Sequence, residues 1–193
     1  MKPSQLQTDS ELVNLFKNGD MSALEQLIQK YKDKIYTTIL LLVKDKQLSD
    51  DFFQDTFIKV IETIRGGRYK DEGKFLPWVM RIAHNHCLDH FRKVKIHPIL
   101  RASNDEHIME NIGYSEQAVD SKIIKRENHA RVRQMLDRLP EPQREVVILR
   151  HYAELSFKEI SLLTNCSINT TLGRMRYGLQ NLRKLMEGVP ALA

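Results

Sequence analysis

Apolar residues recur along most of the chain at spacings of three and four, and alternation with a period of two is nearly absent. That pattern predicts an all-α protein. A first helix is expected over Asp9–Lys17, with Leu12, Val13, Leu15 and Phe16 on its apolar side, broken by Asn18, Gly19 and Asp20. A second starts near Ser22 and aligns Leu24, Leu27, Ile28, Tyr31, Ile35 and Ile39. A third starts near Ser49, read as its N-cap with Asp50 and Asp51 in the first turn, and carries Phe53, Phe57, Val60, Ile61 and Ile64. Residues 65–74 read as a turn region, and a fourth helix runs from near Pro77 to about Lys93.

The texture then changes. Residues 97–121 hold five acids and one base, net −4, with no sustained helical period, which reads as a linker. Helical patterning returns over about 121–138 and is ended by Pro140 and Pro142. Val146, Val147, Leu149, Arg150 and Tyr152 mark a further helix, followed by helical stretches over 156–165 and 168–186 with a short break at Cys166 and Ser167. The expected organisation is two small helical domains: an N-terminal helical bundle over 9–95 and a C-terminal helix-turn-helix over 122–187, joined by a flexible acidic linker over 96–121.

The 193 residues carry 30 bases against 25 acids, a net charge of +5 that permits nucleic-acid binding without requiring it. Two distant cysteines, Cys87 and Cys166, suit a reduced, intracellular protein rather than a disulfide scaffold. The polar N-terminus has no apolar signal-peptide core, and the longest apolar run, Ile39–Val43, is far too short to span a bilayer. The expected location is the cytoplasm, with no membrane insertion.

The C-terminal stretch "LSFKEISLLTNCSINTTLGRMRYGLQNLRKL" has helix-turn-helix form. Ser156 caps its first helix, and Glu159 sits at the capping-box position. Ile160, Leu163 and Ile168 are spaced to fill the core between two crossing helices. From Ser167 to Glu187 the second helix holds four bases and one acid. Its N-terminal half suits the major groove, and Asn169, Thr170 and Thr171 at its positive dipole end suit phosphate contact. A generic helical hairpin with a solvated basic face has the same pattern.

On a helical wheel of residues 75–94, Leu76, Val79, Met80, Ala83, Cys87, Phe91 and Val94 share one arc. Trp78, Arg81, Asn85, Asp89 and Arg92 share the other. Single-stranded nucleic acid needs such a set: an aromatic platform for a base, cations for phosphates and an amide for a base edge. Alternatively, Trp78 is a partly buried core residue. The cluster His84, His86, Cys87 and His90 raises a metal site, but only His86 and His90 share a face, and two ligands do not complete zinc coordination. No metal or cofactor is expected, and there is no phosphate-binding loop or nucleophile elbow.

Together, "SDDFFQDTFIKVI", "GKFLPWVMRIAHNHCLDHFRK", the acidic linker and "LPEPQREVVILRHYAELSFKEISLLTNCSINTTLGRMRYGLQNLRK" resemble the group 4, or extracytoplasmic-function, sigma factors of bacterial RNA polymerase. The resemblance spans nearly the whole chain in order and spacing. It implies a non-enzymatic factor that recruits core RNA polymerase to promoters. Asp50, Asp51, Gln54 and Asp55 would meet the clamp helices of the largest polymerase subunit. Trp78, Arg81, Asn85 and Arg92 would act in −10 opening, with Asn85 at the position that contacts a flipped-out base. The linker would thread toward the active-site and RNA-exit channels.

The helix-turn-helix would read the −35 duplex. Leu172 and Gly173 stand where family members often have Lys or Arg, then Ser, so Arg176 and Tyr177 carry more of the contact, with Arg150 and Arg174 on phosphates. An anti-sigma factor, often membrane-bound in this family, is the further partner implied. Two other readings stay open. One is a free-standing helix-turn-helix regulator of duplex operators, which has no need of the 50–94 block. The other is a metal-dependent enzyme centred on 84–90.

Overall fold

The computed structural model describes residues 7–96 and 131–187, which form eight helices and no strand. The proposed acidic linker from 97 onward and the first part of the helix expected from 121 lie outside the described residues. The chain divides into two compact units between Glu106 and His107.

In the first unit, α1 (Asp9–Lys17), α2 (Met21–Val43), α3 (Lys46–Arg65) and α4 (Phe75–Ile96) form a helical bundle in which α2 packs on each of the other three. Thr8 starts α1 with a full capping box: its hydroxyl accepts from the Glu11 amide, and the Glu11 carboxylate accepts from the Thr8 amide at 2.7 Å. Val13, Phe16, Leu27, Ile35, Ile39, Val60, Ile64, Phe75, Val79 and Met80 fill the core.

The start of α3 differs from expectation. Its N-cap is Asp45, whose carboxylate accepts from the Leu48 amide at 2.9 Å. Ser49 is fully buried one turn further on, and its hydroxyl donates to the Asp45 carbonyl at 2.5 Å. A serine inside a helix bonds back to the carbonyl four residues earlier, so it does not mark a boundary here. Helix α4 likewise begins at Phe75, with Pro77 in its first turn, where the missing amide costs nothing.

The second unit comprises α5 (131–137), α6 (Glu141–His151), α7 (Phe157–Leu163) and α8 (Ile168–Glu187). Its core is Val146, Val147, Ile148, Leu149, Ala153, Leu155 and Ile160, with Leu136 and Leu139. The capping box of Ser156 and Glu159 forms as the sequence indicates. Asn165 makes the tight turn between α7 and α8 at φ 50°, a left-handed conformation that asparagine tolerates. Leu163 is only half-buried and Ile168 is 43% exposed, so of the three residues expected in the helix-turn-helix core Ile160 alone is fully enclosed. The remaining volume is filled from α6 and the α6–α7 turn.

Candidate nucleic-acid interfaces

Helix α4 carries the first surface. Arg81, Asn85, Asp89 and Arg92 are exposed along one side, while Val79, Met80, Ala83 and Cys87 are buried on the other. Arg92 donates to Asp89 at 3.1 Å, an exposed pair that ties part of its charge to the same helix. Trp78 is half-buried. Its ring lies 4.4 Å from Tyr69, which the 65–74 turn supplies, and 5.9 Å from Phe75. The indole is thus one wall of an aromatic cluster and not a free platform. Tyr69, a residue the sequence pattern did not single out, supports it, and burial pushes the Tyr69 phenol up to about 12, helped by the nearby Asp71.

The histidines of this helix scatter. His84 is 3% exposed and is buried on the same side of the helix as Cys87. Burial pushes the Cys87 thiol up to about 12. His86 and His90 pack on Phe52 of α3, with ring centroids at 6.4 and 5.6 Å. Among the described residues no three His, Cys, Asp or Glu side chains gather as a ligand set.

Helix α3 carries the second surface. Asp51, Gln54 and Asp55 are exposed together, and Ile58, one turn on, is 53% exposed beside them. Asp50 stands apart. It is half-buried and accepts from the Tyr36 hydroxyl at 2.7 Å, so part of its hydrogen-bonding capacity is spent inside the bundle. Burial, and next this bond, push the Tyr36 phenol up to about 12.

The third surface is the start of α8. Ser167 caps it, its hydroxyl accepting from the Thr170 amide at 3.0 Å. Asn169, Thr170, Arg176 and Tyr177 are exposed. Thr171 is fully buried: its hydroxyl donates to the Ser167 carbonyl at 3.0 Å and lies 3.4 Å from the Cys166 sulfur. It fills the helix-turn-helix corner and so leaves the set of outward-facing readers. Arg174 is half-buried, with a guanidinium nitrogen 3.5 Å from the same sulfur.

Arg150, though exposed overall, braces the α6–α7 turn. It donates to the Leu155 carbonyl at 2.8 Å and lies 5.1 Å over the Phe157 ring. Exposed apolar groups also border this surface. Leu172 and Leu179 line an open cleft of about 410 Å³ with Phe157, Met175, Arg176, Gln180 and Arg183.

Residues 27–95, spanning most of α2 to α4, match Sigma-70 region 2, and residues 129–171, ending in the first turn of α8, match Sigma-70, region 4. The RNA polymerase sigma-H factor of Pseudomonas aeruginosa is 27% identical over 93% of this chain and 94% of its own. The ECF RNA polymerase sigma factor SigW of Bacillus subtilis is 29% identical over 87% and 91%. Among solved structures, CnrH in complex with the cytosolic domain of CnrY aligns over 95% of this chain and 100% of its own, with TM-score 0.67 and 19% identity. The sigma factor RpoE of Bartonella quintana, solved with the anti-sigma factor NepR, aligns over 86% and 98%, with TM-score 0.63 and 18% identity. The fold is shared with both.

Proposed function

The chain belongs to the sigma-70 family, in its extracytoplasmic-function group, and from that premise we propose how its three surfaces divide the work of an alternative sigma factor. Such a factor contributes binding and not a reaction of its own: it joins core RNA polymerase and directs it to a promoter set. The observation that carries the reading is that two regions of one family, in order, fall on the two units. The N-terminal region presents Arg81 and Asn85 outward beside an aromatic cluster.

Asp51, Gln54 and Asp55 meet the polymerase clamp helices, with Ile58 as the apolar contact among them and Asp50 holding Tyr36 from behind. A polar, acidic patch suits orientation and encounter more than raw affinity. On α4, Asn85 takes a flipped-out base of the −10 strand, Trp78 forms the wall against which that base rests, and Arg81 and Arg92 neutralise phosphates. Capturing a base returns about 1–3 kcal/mol of stacking against the average of about 1.4 kcal/mol per step that melting costs.

On the second unit, α8 enters the major groove of the −35 duplex, with Asn169, Thr170, Arg176 and Tyr177 toward the DNA and Arg150 and Arg174 at its margin. The segment between the units follows the polymerase channels.

The partners proposed are therefore core polymerase, promoter DNA and an anti-sigma factor. Among the described residues no helix is long and apolar enough to cross a membrane. The proposed place of action is the cytoplasm, where polymerase and promoter are. The test is transcription in vitro with core polymerase and promoter fragments of the source genome. Specific initiation that depends on the added chain supports the reading; absence of both core binding and specific initiation overturns it. Tight, specific duplex binding without polymerase would favour a free-standing regulator.

A further inference from the structure

The rotation of α8 about its own axis is set by its contacts with α6. Thr171 and Gly178 are buried. Gly178 lies so close to α6 that an added Cβ would stand 3.0 Å from a Val147 methyl. Asn181 donates to the Gln143 side-chain oxygen at 2.9 Å. At about 100° per residue, the side of the first two turns facing away from this seam holds Asn169, Leu172, Gly173 and Arg176.

Leu172 is 43% exposed at one edge of that set, where it also lines the open cleft with Phe157 and Leu179. At Gly173, beside it, an added Cβ would meet nothing within 4 Å, so this stretch of the helix surface is open.

We propose that Leu172 is a specificity-determining residue that recognises a thymine of the upstream promoter element through its 5-methyl group. The proposal rests on the placement of α8 in the major groove. There thymine alone offers a methyl, which an apolar side chain distinguishes from the hydrogen-bonding edges of the other bases. The amide of Asn169 and the guanidinium of Arg176 flank Leu172 one turn to either side. They suit adenine and guanine edges, so the three side chains would read neighbouring base pairs by different chemistry.

The experiment uses the full chain with core polymerase and promoters selected from a library randomised in the upstream duplex. Each thymine of the selected element is then replaced singly by deoxyuridine, which removes only the methyl. At one position the unaltered protein should lose about fourfold in binding and initiation, the value of one buried methyl. Leu172→Ala and Leu172→Gln should be nearly indifferent to that replacement while still binding core. If the unaltered protein ignores every thymine methyl, or if both variants keep its sensitivity, the proposal is overturned. If the unaltered protein shows no upstream sequence preference at all, it is the placement of α8 in the groove that fails.

Discussion

Asn85 and Trp78 share a sequence pattern but not an environment. Asn85 is exposed, whereas Trp78 is packed against Tyr69 and Phe75. Asn85→Ala is therefore expected to leave stability within about 0.5 kcal/mol while impairing promoter opening more than core binding. Equal losses in a strand-opening footprint and a core-binding assay would assign Asn85 a structural role. Trp78→Ala should in addition lower stability by about 2 kcal/mol, less than a fully buried tryptophan would cost, which thermal denaturation measures.

The two cysteines differ in the same way. Cys87 is enclosed and its thiol is pushed up to about 12 by burial. For Cys166, burial is the largest single influence and pushes upward, but the hydrogen bonds with Thr164 and Thr171 and the Arg174 charge together outweigh it, so its thiol lies below its ordinary value. Alkylation of the native protein near neutral pH should modify Cys166 well before Cys87, as peptide mapping would show. Periodicity placed Cys87 on the buried arc, but it carried no signal for Cys166, whose environment is made by the fold of a turn.

Helix α8 works as an element because α6 holds it in one rotation. Gly178→Leu would drive a side chain into Val147 and is expected to cost about 1–3 kcal/mol through overpacking. Upstream-element recognition should fall with it, while core binding through the first unit persists. Ser156→Ala removes the cap of α7 and should cost about 1 kcal/mol, read as a shift in the unfolding of the second unit.

The Ser156 capping box was legible because both partners lie within three residues. The start of α3 was not, because Asp45 and Ser49 are both acceptable caps locally. What separates them is that Ser49 is enclosed by the bundle, a fact of packing.

For the molecule as a whole, the two proposed DNA surfaces lie on different units, and each is small. Coupling both to polymerase raises the local concentration of the second contact once the first is made. The isolated chain is expected to bind an upstream duplex weakly, and core polymerase to raise that affinity by about 100-fold or more in a gel shift. Binding should weaken steeply with salt, because Arg and Lys contacts release counterions from the phosphates. Tight binding by the isolated chain, unchanged by core, would contradict a division of work between two coupled surfaces.

The sequence alone determined the helical class, most of the helix stripes and the family, because these rest on a repeat of 3.6 residues and on the order of long segments. It also brought Arg81 and Asn85 outward, since their face of α4 lies opposite a strongly apolar one. The tertiary structure decided which polar residues are used up inside. His84, Ser49 and Thr171 are buried, and Asp50 is shared with Tyr36. It also decided that Ile168, expected in the core, faces solvent. Burial depends on what a second element places across a gap, and residues distant along the chain set that gap. For the same reason Trp78, with Tyr69 and Phe75 closing around it from a turn and a helix start, could not be assigned to surface or core from its own helix.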